Sequence, residues 1–209
     1  MMKELVEWYL KYVEKDKPDR DNEFRKKFNK ATTDEEKAEQ LLDGNHQWYL
    51  RIFHKSLRQE LIAEIASKKC WEKTYEGRSF EDIYRDHAFL CAHRYVNQLT
   101  AYDVALRVAI VKDDPVRYPY PSEFVYLHAT PMGAYRWLYK KGYMPVKVKG
   151  WNEVIPFADL RDVFFPLNAR QIEDLLCHFE KGLKRLKEGK QSKGNDEPGK
   201  KLDKIVKKL

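Results

Sequence analysis

The stretch "FEDIYRDHAFLCAHRYVNQLTAYDVALRVAIVK", residues 80–112, decides the fold class. It contains neither Gly nor Pro, the residues that punctuate a chain most strongly, and it is apolar around much of a helical circumference. A helix that is apolar on most sides has to be covered on most sides, so this segment belongs in the middle of a mainly α fold. Thr100 can cap a new helix at "TAYD", which predicts a break near Leu99 and two helices of ordinary length.

Working outward toward the N-terminus, Tyr49, Phe53, Leu57, Leu61 and Ile65 recur every four residues and predict a helix from His46 to about Lys69. Ser79 with Asp82 is a capping pair ahead of Phe80. Thr33 with Glu36 matches a capping box, in which hydroxyl and carboxylate satisfy each other's orphan backbone donors, and "DGN" at 43–45 ends that helix. Leu5, Trp8, Tyr9, Tyr12 and Val13 form the apolar face of a first helix, which Pro18 ends. A second, shorter one follows through Phe24 and Phe28.

Toward the C-terminus, three prolines make "DDPVRYPYPSE" a loop. "FVYLH" then has the makeup of a short strand, and "MPVKVKGW" alternates as a half-exposed strand does. Between them Thr130 and Pro131 match N-cap and N1 of a helix that Gly142 ends. Asn168 caps a long amphipathic helix through Ile172, Leu175, Leu176, Phe179, Leu183 and Leu186, weakened but not ended by Gly182. The polar stretch 188–201 reads as a flexible linker, and Leu202, Ile205, Val206 and Leu209 fall at helical spacing among lysines. The predicted architecture is therefore one mainly α, multi-helix domain over 1–187 with a minor β element near 123–150. A flexible linker and short basic amphipathic segment follow at 188–209.

Hydrophobic residues at 43% and aromatics at 13% exclude a disordered chain. The net charge is +7, and residues 180–209 hold ten Lys and one Arg against five acids, a net of +6. The excess is thus local, and a local basic excess attracts polyanions. Three widely spaced cysteines make no disulfide framework and fit a reducing cytoplasm. The N-terminus carries charges within its apolar pattern and lacks the h-region of a signal peptide. No stretch reaches the ~18–20 apolar residues of a membrane span.

Two places are candidates for chemistry. At the junction "YLHATPMGAYRWL", free N–H groups near Met132 and Gly133 make a positive pole, and Gly133 admits a close neighbour. His128, Thr130, Gly133 and Arg136 would then form an anion site for a phosphate or carboxylate. In the central segment, His93 and Asp103 are candidates for proton transfer if the helix is continuous. The competing reading there is a wet stripe with Asp103 and Arg107 as an i,i+4 pair. His87 and Cys91 share helical spacing, but two ligands do not complete a zinc site, so no metal is expected. Without a GxGxxG, a Walker A sequence or a nucleophile turn, the chain implies no cofactor.

The function these features favour is a cytoplasmic binding or accessory protein. Its partner would be nucleic acid or an acidic protein, held by Lys200, Lys201, Lys204, Lys207 and Lys208 of the basic C-terminal segment. The alternative is an enzyme acting on a phosphorylated or nucleic-acid substrate through the junction at 128–136.

Overall fold

Asn97, rather than Thr100, opens the second half of the central segment, its side chain accepting a hydrogen bond from the Thr100 backbone N–H at 3.2 Å. The break predicted near Leu99 therefore lies earlier. A helix at Phe80–Asp86 is followed by a 3-10 turn at Ala88–Ala92, and a new helix runs over Gln98–Lys112. A short Asx side chain in extended conformation caps better than a threonine that is itself 1% exposed and already inside the helix. The computed structural model describes residues 1–43, 54–94, 96–150, 153–192 and 196–209. In it the chain is mainly helical with a small two-stranded sheet, and it packs as two compact units.

One unit comprises Pro18–Pro121. Its helices are α2 (Lys17–Lys30, whose first residue counts with the other unit), α3 (Asp34–Leu42), α4 (Lys55–Lys68), α5 (Phe80–Asp86) and α6 (Gln98–Lys112). Pro18 does not break the chain here but occupies the first turn of α2, where its missing N–H costs nothing. The Thr33 capping box starts α3, with both bonds to Glu36 in place. The part of the predicted 46–69 helix before Lys55 falls largely outside the described residues; α4 supplies the rest. Buried Ala101, Val104, Ala105, Val108 and Ala109 place α6 at the centre of this unit, as its apolar circumference requires. Arg107 donates to the carbonyls of Gln40 and Leu41 at 3.0 and 3.1 Å, satisfying orphan acceptors at the end of α3, and lies over the Phe24 ring.

The other unit comprises Met1–Lys17 and Ser122–Leu209. It holds α1 (Met2–Tyr12), β1 (Phe124–Leu127), α7 (Ala129–Lys140), β2 (Glu153–Pro156), α8 (Phe157–Phe164), α9 (Ala169–Lys187) and α10 (Glu197–Lys208). The spine is α9, opened by a capping box in which Asn168 and Gln171 exchange bonds of 2.9 Å. It packs against α7, α10 and β1, burying Ile172, Leu175, Leu176, Phe179 and Leu183, each contributing roughly 1.5–3 kcal/mol of gross stabilisation. Gly182 faces α10: an added Cβ would sit 3.0 Å from Leu202 and 3.2 Å from Val206.

Two expectations change in this unit. The strand partner of β1 is Glu153–Pro156, antiparallel with Val125 opposite Ile155, and 144–150 forms no ladder. Side chains of α7 take that segment's carbonyls instead: Tyr135 donates to Val146 at 2.9 Å, and Arg136 donates to Lys149 at 3.1 Å and to Gly150. The C-terminal segment, expected on a tether, is a helix seated on α1 and α9. Its residues Leu202, Ile205, Val206 and Leu209 are buried, because an apolar stripe of that width is more stable covered than in water. Residues 193–195 of the expected linker lie outside the described residues.

Candidate polyanion-binding face

Helix α10 starts at Asp196, whose carboxylate accepts from the Gly199 N–H at 2.9 Å, and Pro198 follows in the first turn. With the apolar stripe turned inward, Lys200, Lys201, Lys204, Lys207 and Lys208 are all exposed. The last turn of α9 adds Lys184, Arg185 and Lys187. The seat of α10 is fixed at its start by Trp8, whose indole N–H donates to the Pro198 carbonyl at 2.9 Å.

The lysines differ in their partners. Lys201 pairs with Glu197 at 2.8 Å and also donates to the Tyr12 hydroxyl; these hydrogen bonds hold its ammonium above its ordinary range. Lys208 pairs with Glu4 at 3.2 Å. Lys204 and Lys207 form no ion pair among the described residues. Immediately before Lys204 in sequence, Asp203 is 4% exposed and neutralised from within. Arg185 donates to it through Nε and Nη2 at 3.1 and 2.8 Å, and the Ser192 backbone N–H donates at 2.8 Å. Burial works to raise the Asp203 carboxyl, but the Ser192 N–H and the Arg185 guanidinium outweigh it and hold it below its ordinary value.

The junction at 128–136 is built differently from its prediction. The N-cap of α7 is His128, two residues before Thr130, so Thr130 and Pro131 lie inside the first turn. The Met132 N–H is consequently engaged, donating to the His128 carbonyl at 2.9 Å. His128 is 3% exposed and stacks on Tyr126 at 6.2 Å between ring centroids. Arg136 holds the 149–150 carbonyls. Gly133 does admit a close neighbour, but that neighbour is the Glu180 carboxylate, 2.7 Å from where a Cβ would stand. Burial pushes the Glu180 carboxyl up, against the pull of Lys184 and Lys187. The four residues named from sequence thus share one helix terminus whose cationic and open positions are already used by the protein's own carbonyls and carboxylate.

His93 and Asp103 belong to the other unit, as do His87 and Cys91. His93 Nε2 lies 2.7 Å from a Glu64 carboxylate oxygen, and Asp103 is half-buried on α6. His87 is fully buried, its Nδ1 bonded to the Ile83 carbonyl at 2.7 Å, and burial pushes its pKa down. Among the described residues no group of three or more His, Cys, Asp or Glu side chains is placed to hold a metal ion. Nor is any described helix long and apolar enough to cross a membrane.

A polar cluster that no local sequence signal announces ties the two ends of the chain together. Lys17 Nζ lies 3.0 Å from Asp174 and 3.4 Å from Glu14, and it donates to the Tyr9 hydroxyl at 2.8 Å. Tyr9 in turn donates to Glu14 and Asp174, and burial with these two carboxylates pushes its phenol far up. No family model matches the chain, and neither the curated proteins nor the solved structures include a match.

Proposed function

We propose that this protein is a non-enzymatic intracellular binding or accessory protein that contacts a polyanion, nucleic acid or an acidic protein, through the exposed lysines of α10. The observation that carries the reading is the orientation of that helix: its apolar stripe is buried and all five of its lysines face outward beside the basic end of α9. Three free cysteines favour a reducing compartment. A rigidly seated row of ammonium groups loses less entropy on binding than the same lysines on a tether.

The test is binding of a fluorescent oligothymidylate and of fluorescent polyglutamate across about 50 to 200 mM salt, where phosphate contacts weaken steeply. Wild type should bind at least one probe with a negative salt slope. A variant with Lys200, Lys201, Lys204, Lys207 and Lys208 changed to Gln should lose most of that binding with its melting temperature unchanged. Equal binding by wild type and variant, or none by wild type at low salt, rules the reading out.

A further inference from the structure

The first and last helices run antiparallel. The start of α10 lies by the end of α1, where Tyr12 donates to Glu197 at 3.1 Å, and its end lies by the start of α1, where Lys208 pairs with Glu4 at 3.2 Å. A groove of about 310 Å³ runs between them. Its α1 wall carries Glu4, Trp8 and Lys11 and its α10 wall Lys201, Ile205 and Lys208, so each wall supplies positions i, i+4 and i+7. That is a seam two helical turns, about 10 Å, long. Trp8 and Ile205, 5% and 8% exposed, close its floor, and the half-buried Tyr12 ring continues it at the end nearest Lys201.

The charges along the seam narrow its occupant. Four lysines stand against Glu4 and Glu7, so the groove is basic overall and yet holds carboxylates. Lys208 is met by Glu4 and Lys201 by Glu197, whereas Lys11 on one wall and Lys204 on the other form no ion pair among the described residues. A phosphate polymer, negative at every unit, would bring like charge to Glu4 and Glu7 and leave the apolar floor uncovered. A helix laid in the groove covers that floor with an apolar stripe at the same i, i+4, i+7 spacing and carries discrete carboxylates on the flanks of the stripe. We infer that the groove between α1 and α10 docks an acidic amphipathic helix of a partner protein, its apolar stripe on Trp8, Tyr12 and Ile205 and its flanking carboxylates on Lys11 and Lys204. This rests on the polyanion-binding reading of α10 and narrows it to an acidic protein partner.

The probes are two fluorescent synthetic peptides of identical Glu, Leu and Ala content, one with Leu at i, i+4 and i+7 between flanking Glu residues, the other scrambled. Full-length wild type should bind the patterned peptide at least about tenfold more tightly than the scrambled one. Lys11→Glu/Lys204→Glu should lose at least about tenfold in affinity and regain it toward a patterned peptide whose flanking Glu residues are Lys. Lys11→Gln/Lys204→Gln, which places no new carboxylate on the surface, should show the same loss of the acidic peptide if the Glu double does not fold. Equal binding of patterned and scrambled peptides, or unchanged affinity in the folded variants, would overturn the groove. Displacement of the patterned peptide by oligothymidylate at lower charge concentration than by polyglutamate would overturn the protein assignment in favour of nucleic acid. A dimer in sedimentation that the variants dissociate would put a second copy of the chain in the groove instead. In each of these cases the polyanion reading stands; if wild type binds neither the peptides, oligothymidylate nor polyglutamate, it fails and the groove falls with it.

Discussion

Gly133 and Glu180 show what a single residue decides. A carboxylate oxygen of Glu180 is buried and accepts no hydrogen bond among the described residues, while the carboxylate lies where any Cβ at position 133 would have to be. Glycine inside a helix ordinarily costs about 1 kcal/mol relative to alanine, so its presence here marks a contact that outweighs propensity. Gly133→Ala should therefore lower stability in urea unfolding by about 1–3 kcal/mol, the usual cost of overpacking. In a Glu180→Ala background the same change should be neutral or stabilising, because only the helix preference remains. Stabilisation in both backgrounds would mean that the carboxylate yields freely. The glycine itself is legible in the sequence as a place of close approach; its neighbour, 47 positions along the chain, is not.

At the scale of elements, α10 is a helix for local reasons and a seated helix for distant ones. Asp196, Pro198 and the spacing of Leu202, Ile205, Val206 and Leu209 specify the helix, whereas Gly182 and Trp8 on other elements provide the seat. Gly182 was the available signal, since a glycine kept inside an otherwise strong amphipathic helix has a packing reason more often than not. Four buried apolar side chains at roughly 1.5–3 kcal/mol each are a large gross term, before the entropy of ordering the helix is subtracted. Deleting residues 196–209 should lower the melting temperature by about 2–4 °C for each kcal/mol lost and should raise binding of a hydrophobic dye. A truncated protein that melts like the intact one and binds no dye would show that the segment is a tether after all.

At the scale of the whole molecule, one unit is assembled from both ends of the chain, and the Tyr9, Glu14, Lys17 and Asp174 cluster joins them by charge, as does the Lys208–Glu4 pair. Burial alone would raise the Asp174 carboxyl, but Lys17, His178 and the Tyr9 hydroxyl outweigh it and hold it below its ordinary value. A carboxyl with a depressed folded pKa contributes stability above its unfolded pKa and loses that contribution as the pH falls through the folded value. Asp174→Asn should thus be clearly less stable than wild type at pH ~7, with the difference closing as the pH drops below about 4. A difference independent of pH would assign the loss to packing rather than to charge. At this scale too the +6 of residues 180–209 acquires a location, since eight of the ten lysines among them lie on two packed helices, α9 and α10.

Features satisfied within one helical turn could be read from the residues: the mainly α class, the caps at Thr33, Ser79 and Asn168, the short strand at β1 and the amphipathic character of the last helix. Hydroxyls, amides and apolar stripes that serve a helix lie three or four positions from what they serve. Which residue begins a helix when two cappers compete, as at Asn97 and Thr100, was already beyond that range, because the answer depends on which one the core buries. The rest was decided by groups far apart in sequence. Ile155 rather than 144–150 pairs with Val125, Arg136 turns to carbonyls at 149 and 150, and Trp8 reaches a carbonyl 190 residues away. Burial and charge are properties of a neighbourhood, and folding alone selects the neighbours: the residues specified five lysines on one helix, and packing determined which way they face.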